Sequence, residues 1–248
     1  MECLFSVASS LRLLDKIVNN LKCSIRENYH SLPKSVVIMG LLDVVMRQVR
    51  KPSGLLGKVL VRGMNRGHDA LTNWGLKHVE IAASSTILDV GCGGGRTIGK
   101  LANIASEGKV YGIDYSRVSV KTAQKVNRKL VAAGHVDVRE GSVSSLPFPD
   151  HTFDVVTAVE THYFWPDLIE DMKEVSRVLK HEGTFLVLGE LYKGSKNYER
   201  AQKWGVTVDM TLHTVEEFGE VLREAGFVDV KVDENYQECW ICGIGRKP

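Results

Sequence analysis

The chain has 248 residues, 44% hydrophobic and 25% charged, with a formal net charge of +2. That composition fits one globular α/β domain with an extension and excludes a disordered or collagen-like chain. The balance of charge gives no reason to expect a nucleic-acid partner.

The first 80 residues read as mostly helical: Leu11–Lys22, Val36–Arg50, a break at Pro52-Ser53-Gly54, then Leu55–Trp74. They are expected to form a helical extension (1–80) that covers the domain made by residues 81–248. Arg47, Arg50 and Lys51 end the second segment. Such an end suits a membrane surface, but a packing helix is the simpler reading. Met1–Val18 is interrupted by Arg12, Asp15 and Lys16 and makes a poor secretory signal. The apolar run Val36–Met46 contains Asp43 and is too short to span a bilayer. Cys3, Cys23, Cys92, Cys239 and Cys242 are odd in number and scattered, which argues for a reducing compartment. The chain is therefore expected to be cytoplasmic, with no integral membrane association; its oligomeric state stays open. Near the end of the extension, Arg62-Gly-Met-Asn65-Arg-Gly-His68 is an unusual polar passage. Asn65 or His68 could reach a site, or could lie on a solvated face.

From Thr86 onward β-branched runs alternate with segments of helical spacing. Strands are expected at Thr86–Val90, Lys109–Asp114, Val136–Glu140, Phe153–Val159, Thr184–Leu188, Val228–Val232 and Cys239–Ile244. Between the second and third, Val120, Ala123, Val126 and Leu130 recur at helical intervals, with Ser116 as N-cap and Gly134 as the stop. After the fourth, Leu168, Met172, Val175 and Leu179 do the same. Thr214-Val-Glu-Glu217 has the capping-box form, and Gly226 closes its helix. This alternation implies a doubly wound, mostly parallel seven-stranded sheet with helices on both faces. Ligands in such sheets bind beyond the carboxyl ends of the strands.

The first strand runs into Ile87-Leu-Asp-Val-Gly-Cys-Gly-Gly-Gly-Arg-Thr97, with four glycines in five residues. A dinucleotide fingerprint, G-x-G-x-x-G, needs its third glycine where Arg96 stands when counted from Gly91, or Ile98 when counted from Gly93. It fails in both registers. Asp89 points the same way, because an acid ending the first strand repels phosphate and suits a cationic ligand.

At these residues the chain resembles the class I S-adenosylmethionine-dependent methyltransferases. Asp89-Val-Gly91-Cys92-Gly93-Gly-Gly95 matches their acid-x-G-x-G-x-G loop, which in that family wraps the methionine end of the cofactor. Val110-Tyr-Gly-Ile-Asp114 ends the second strand with an acid where the family binds the ribose hydroxyls, and Tyr115 follows it. Glu140-Gly-Ser142-Val143 lies where the family's loop meets adenine. Leu146-Pro-Phe-Pro-Asp150 and Phe153–Glu160 look like the approach to strand four in the ubiquinone/menaquinone C-methyltransferase-like branch. Arg177-Val-Leu-Lys-His-Glu-Gly183 resembles that branch's R-V-L-K-P-G-G turn, with His181 and Glu182 replacing Pro and Gly. The resemblance implies S-adenosylmethionine as cofactor and Asp89, Gly91, Cys92, Gly93, Gly95, Asp114, Tyr115, Ser142, Val143 and Val159 as its contacts. Ser142 stands where Asp is usual, so it accepts from the adenine amine more weakly.

The reacting end is expected after strand four, at Glu160-Thr-His162-Tyr163-Phe-Trp165. His162 is the imidazole placed there and is a candidate general base; the alternative is a residue bonded into the start of the next helix. Glu160 could orient it or position an acceptor. Tyr163, Glu190 and His68 are candidate substrate contacts, and the Lys-, Tyr- and Trp-rich stretch between Tyr192 and Thr214 is a candidate lid. Cys239-Trp-Ile-Cys242 is not taken as a metal site, because two cysteines so spaced on a strand face opposite ways. The function expected is methyl transfer to a small molecule by in-line displacement. The competing reading is a protein that keeps the cofactor and has lost catalysis; a dinucleotide oxidoreductase stands third, disfavoured by Arg96. No Asn-Pro-Pro-aromatic motif follows strand four, which argues against nucleic-acid methylation.

Overall fold

A computed structural model describes residues 53–54, 68–203 and 210–248. The expected helices at 11–22 and 36–50, most of 55–74, and Asn65 lie outside the described residues. The described chain opens with α1 (Asp69–Gly75) and a 3₁₀ turn, Leu76–His78. There follow β1 (Thr86–Val90), α2 (Arg96–Ile104), β2 (Lys109–Asp114), α3 (Arg117–Val126), α4 (Arg128–Ala132) and β3 (Val136–Glu140). Next come β4 (Phe153–Val159), a 3₁₀ turn at His162–Phe164, α5 (Leu168–Val178) and β5 (Leu179–Gly189). The chain ends with α6 (Tyr198–Lys203), α7 (Val215–Glu224), β6 (Val228–Asn235) and β7 (Trp240–Arg246).

The seven strands form one sheet in the order β3-β2-β1-β4-β5-β7-β6. The pairs among β1 to β5 are parallel, and β7 runs antiparallel to both β5 and β6. The sheet is thus mixed. Parallel neighbours need a crossover, here supplied by helices, whereas β6 and β7 are joined by a short turn and must pair as a hairpin. Alternate residues of β1 face opposite ways. Ile87 packs with Ile98, Leu101, Val120 and Ala123 of α2 and α3. Leu88 and Val90 pack with Met172 and Val175 of α5 and Phe218 of α7. Helices therefore cover both faces, and α1 adds Leu71 against Leu186, Leu188 and Cys242.

Several boundaries differ from the sequence expectation. The segment from Val120 to Leu130 is two helices, α3 and α4, separated at Asn127. Val126, expected on the buried face, is 54% exposed. Leu179 belongs to β5, which starts five residues before the expected Thr184 and meets β4 through a register shift between Phe153 and Val155. Cys239 precedes β7 with φ 61°, so the last strand begins at Trp240. Ser116 caps α3 by accepting from the Ser119 N–H at 3.3 Å, and the Thr214/Glu217 capping box is complete.

Candidate functional site

The glycine loop is strapped to the end of β2. The N–H groups of Gly91 and Cys92 both donate to the Ile113 carbonyl, at 2.8 and 3.0 Å. Gly91, Gly93 and Gly95 have φ of 70°, 51° and 78°, a region glycine enters without the Cβ clash. Their surroundings differ. A Cβ on Gly91 would lie 2.4 Å from Thr161 Oγ1, and one on Gly95 would lie 2.7 Å from Ala123 Cα. At Gly93 the nearest atom is the Gly91 carbonyl oxygen, 4.0 Å away. Close packing therefore requires glycine at 91 and 95, while at 93 it leaves open space above the loop. Cys92 is buried behind the loop among the residues of β1, β2 and α2.

A cleft opens beside this loop, lined by Gly91, Asp114, Tyr115, Ser142, Val143 and Thr161, together with Phe164 and Trp165. Asp114 is 7% exposed. Its Oδ2 accepts from the Gly93 N–H at 2.9 Å and its Oδ1 from the Ser116 N–H at 2.8 Å. Burial raises its pKa, and these two donors, with a hydrogen bond from the Ser119 side chain, work against the rise. A carboxylate has about four lone-pair sites, and with three donors already on Asp114 one site remains for a ribose hydroxyl. Ser142 Oγ accepts from the Ser144 N–H at 3.2 Å. Asp89 lies deeper, 2% exposed, and accepts from Thr157 Oγ1 at 2.7 Å. Burial, with the negative charge of Asp114 added, pushes it up to about 7. The open space at Gly93, the Asp114 carboxylate and the positive end of α2 fit S-adenosylmethionine.

The ends of β4 and β5 and the residue before α1 bring four polar side chains together. Glu160, 8% exposed, sits at φ 60°. Tyr163 Oη donates to its Oε2 at 2.6 Å, and the Glu190 N–H donates to its Oε1. His68 Nε2 lies 3.9 Å from the same Oε2, and Glu190 is 4% exposed. Burial raises Glu160 to about 7 and lowers His68 to about 4. Val159, the last residue of β4, is partly buried against the Leu71 cluster.

His162 lies outside the cleft and beside Tyr163 of the polar group. It is 4% exposed, does not line the cleft, and packs its ring 4.8 Å from Tyr163 and 5.0 Å from Phe218. Its Nδ1 has no hydrogen-bond partner among the described residues. Burial, then repulsion from His213, lowers its pKa to about 3. Burial thus disfavours the protonated ring. Cys239 and Cys242 are both free and buried.

Several residues with clear roles here escaped the sequence reading. Asn127 donates from Nδ2 to the Gly95 carbonyl at 2.7 Å and so ties the loop to the α3–α4 junction. Asp69 accepts from Arg96 Nε at 2.6 Å and pairs with Lys100 at 2.9 Å, which clasps α1 to α2. Arg177 donates to the carbonyls of Phe148 and Leu146 at 2.9 and 3.1 Å and pairs with Asp150, fixing the 146–150 loop. Each contact joins positions more than 25 apart in the chain, beyond any local pattern. Within the candidate lid, the Lys193 N–H donates to the His213 carbonyl at 2.8 Å and the Thr211 N–H to the Tyr163 carbonyl at 3.0 Å. Residues 204–209 lie outside the described residues. No helix among the described residues is long and apolar enough to cross a membrane.

Comparison with known proteins agrees with this frame. Residues 88–187 match the family described as "Methyltransferase domain". The chain is 31% identical over 182 residues to the demethylmenaquinone methyltransferase of Geobacillus kaustophilus, covering 63% of this chain and 76% of that one. It is 29% identical over 199 residues to that of Anoxybacillus flavithermus, covering 70% of this chain and 82% of the relative. A structure of an S-adenosylmethionine-dependent methyltransferase from Aquifex aeolicus superposes with a TM-score of 0.63 at 20% identity, over 77% of this chain and 98% of that one, a likeness of fold. The chain belongs to the class I S-adenosylmethionine-dependent methyltransferases, in their ubiquinone/menaquinone methyltransferase-like branch. S-adenosylmethionine is its cofactor.

Proposed function

We propose that this methyltransferase acts on a small-molecule acceptor bound at the carboxyl ends of β4 and β5. The carrying observation is the polar group of buried Glu160, Tyr163 and Glu190 with partly buried His68, next in sequence to Thr161, which lines the cleft. In this reading Asp114 and Tyr115 hold the ribose, and Ser142 and Val143 meet the adenine. The Gly91–Gly95 loop, with Cys92 and Asp89 beneath it and Val159 beside it, holds the methionine end. The cofactor supplies a methyl group already activated on a sulfonium. What remains for the protein is alignment of the acceptor and exclusion of water, and alignment alone is worth roughly 7–11 kcal/mol.

Glu160 and Tyr163 belong to the acceptor side, with Glu190 and His68, because their hydrogen bonds fix one carboxylate at the end of β4. His162 takes a packing role in place of the base role expected of it. Phe164 and Trp165 wall the cleft and keep water from it. The curated relatives named above are demethylmenaquinone methyltransferases, so a quinone-type acceptor is the first to test.

The test is formation of S-adenosylhomocysteine by the full chain with demethylmenaquinol, and with a panel of phenols, enols and amines. Turnover with one acceptor class, lost in Tyr163→Phe through a raised Michaelis constant, supports the reading. Cofactor binding without turnover on any class favours the inactive alternative.

A further inference from the structure

Outside the cofactor cleft, the described residues contain a second group whose atoms suit a ligand of their own. His68, Glu160 and Glu190 each offer one ligand atom, and these lie within 4.8 Å of one another. They come from three separate places: the residue before α1, the residue after β4 and the residue after β5. We propose that this trio binds a divalent transition-metal ion, of the manganese, iron or zinc type, beside the acceptor.

The donor types set the class of ion. Imidazole nitrogen suits zinc and iron more than calcium or magnesium, while two carboxylates keep the set hard enough for manganese. The spacing supports a shared ion over a direct contact. His68 Nε2 and Glu160 Oε2 are 3.9 Å apart, too far for a hydrogen bond. Two ligands of one ion, each about 2.0–2.2 Å from it, stand roughly 3–4 Å apart. The group is also held in place. Tyr163 Oη and the Glu190 N–H orient the Glu160 carboxylate, as outer partners do for metal ligands. The pairing of Asp69 with Arg96 and Lys100 fixes the start of α1, next to His68. Three protein ligands leave positions for water or for an acceptor oxygen. An ion there would make the acceptor an oxygen-bearing molecule, a consequence that rests on the methyl-transfer reading; ion binding itself does not.

The experiment uses the full chain, stripped with chelator and free of cofactor and acceptor. Mn(II) is titrated and the free ion followed by electron paramagnetic resonance, because manganese avoids the cysteine thiols. The expected result is about one ion per chain, displaced by Zn(II). His68→Ala and Glu190→Gln should each weaken binding by about tenfold or more, while Asp137→Asn, on the edge strand β3, keeps wild-type affinity. Circular dichroism establishes that each variant is folded; His68 stands before the first turn of α1, so its replacement is the variant least coupled to the core. A folded wild type that binds neither ion overturns the proposal. So does wild-type affinity in both His68→Ala and Glu190→Gln. Either failure leaves the turnover test of methyl transfer untouched, since no cofactor or acceptor is present.

Discussion

Asp114 carries two tasks with one carboxylate. It accepts from two backbone N–H groups that shape the glycine loop, and in the proposed function it also faces the ribose. Asp114→Asn keeps the acceptor for the Ser116 N–H but turns an amide toward the Gly93 N–H, donor against donor. The variant should lose about 1.5–3 kcal/mol of S-adenosylmethionine affinity by calorimetry, the worth of hydrogen bonds to a charged group; unchanged affinity would remove Asp114 from the ribose. His162 is judged differently. Its ring fills space between Tyr163 and Phe218, so His162→Ala should cost about 2–4 kcal/mol of folding stability as a cavity. Turnover per folded molecule and cofactor affinity should stay within a few-fold of wild type. A hundredfold or greater drop in turnover by the folded variant would restore it as a catalytic residue.

The elements explain one departure from the family pattern. The branch's R-V-L-K-P-G-G turn has Glu182 in place of a glycine, and Glu182 sits in β5 at φ 63°. Left-handed backbone costs a residue with a Cβ roughly 1–2 kcal/mol, and glycine gives part of that back through unfolded-chain entropy. Glu182→Gly should therefore stabilise the chain by about 0.5–1 kcal/mol. Loss of the exposed pair with Arg246 subtracts little. The measurement is a denaturant midpoint with unchanged slope. A fall in stability would mean that the ion pair outweighs the backbone. Among the helices, α7 shows an end that local chemistry settles, because Thr214 and Glu217 satisfy each other's backbone N–H groups.

At the scale of the molecule, burying acids under the glycine loop links stability to pH. The folded pKa of Asp89 is about 7 against an ordinary 3.8. Between those values the folded state holds a proton that the unfolded chain releases. This contribution is full below about pH 4 and is lost as pH rises toward 7. Asp89→Asn imitates the protonated acid. Measured without cofactor, the variant should match wild type near pH 4 and exceed its stability by about a few kcal/mol near pH 8. Groups that do not interact with Asp89 cancel in the comparison, including Asp69, held down to about 2 chiefly by its hydrogen bond from Arg96. A constant difference between the two proteins across that range would show that Asp89 ionises normally in the folded state.

What the sequence determined by itself is what local chemistry and periodicity encode. The position of each strand core was legible, because β-branched runs announce strands whatever they pair with. So were the capping box at Thr214 and the Ser116 cap, where donor and acceptor are three residues apart. The family was legible because four short motifs fall in order along the chain. Tertiary structure alone decided the place of β7 between β5 and β6, which depends on pairing partners and not on strand propensity. It also decided that Leu179 starts a strand, that Asn127 interrupts a helix to hold Gly95, and that Asp69 clasps α2. Above all it moved His162 into the core and brought His68 to Glu160 and Glu190. Sequence places a residue at the end of a strand; which way its side chain turns, and what desolvates it, depends on packing from elements far along the chain.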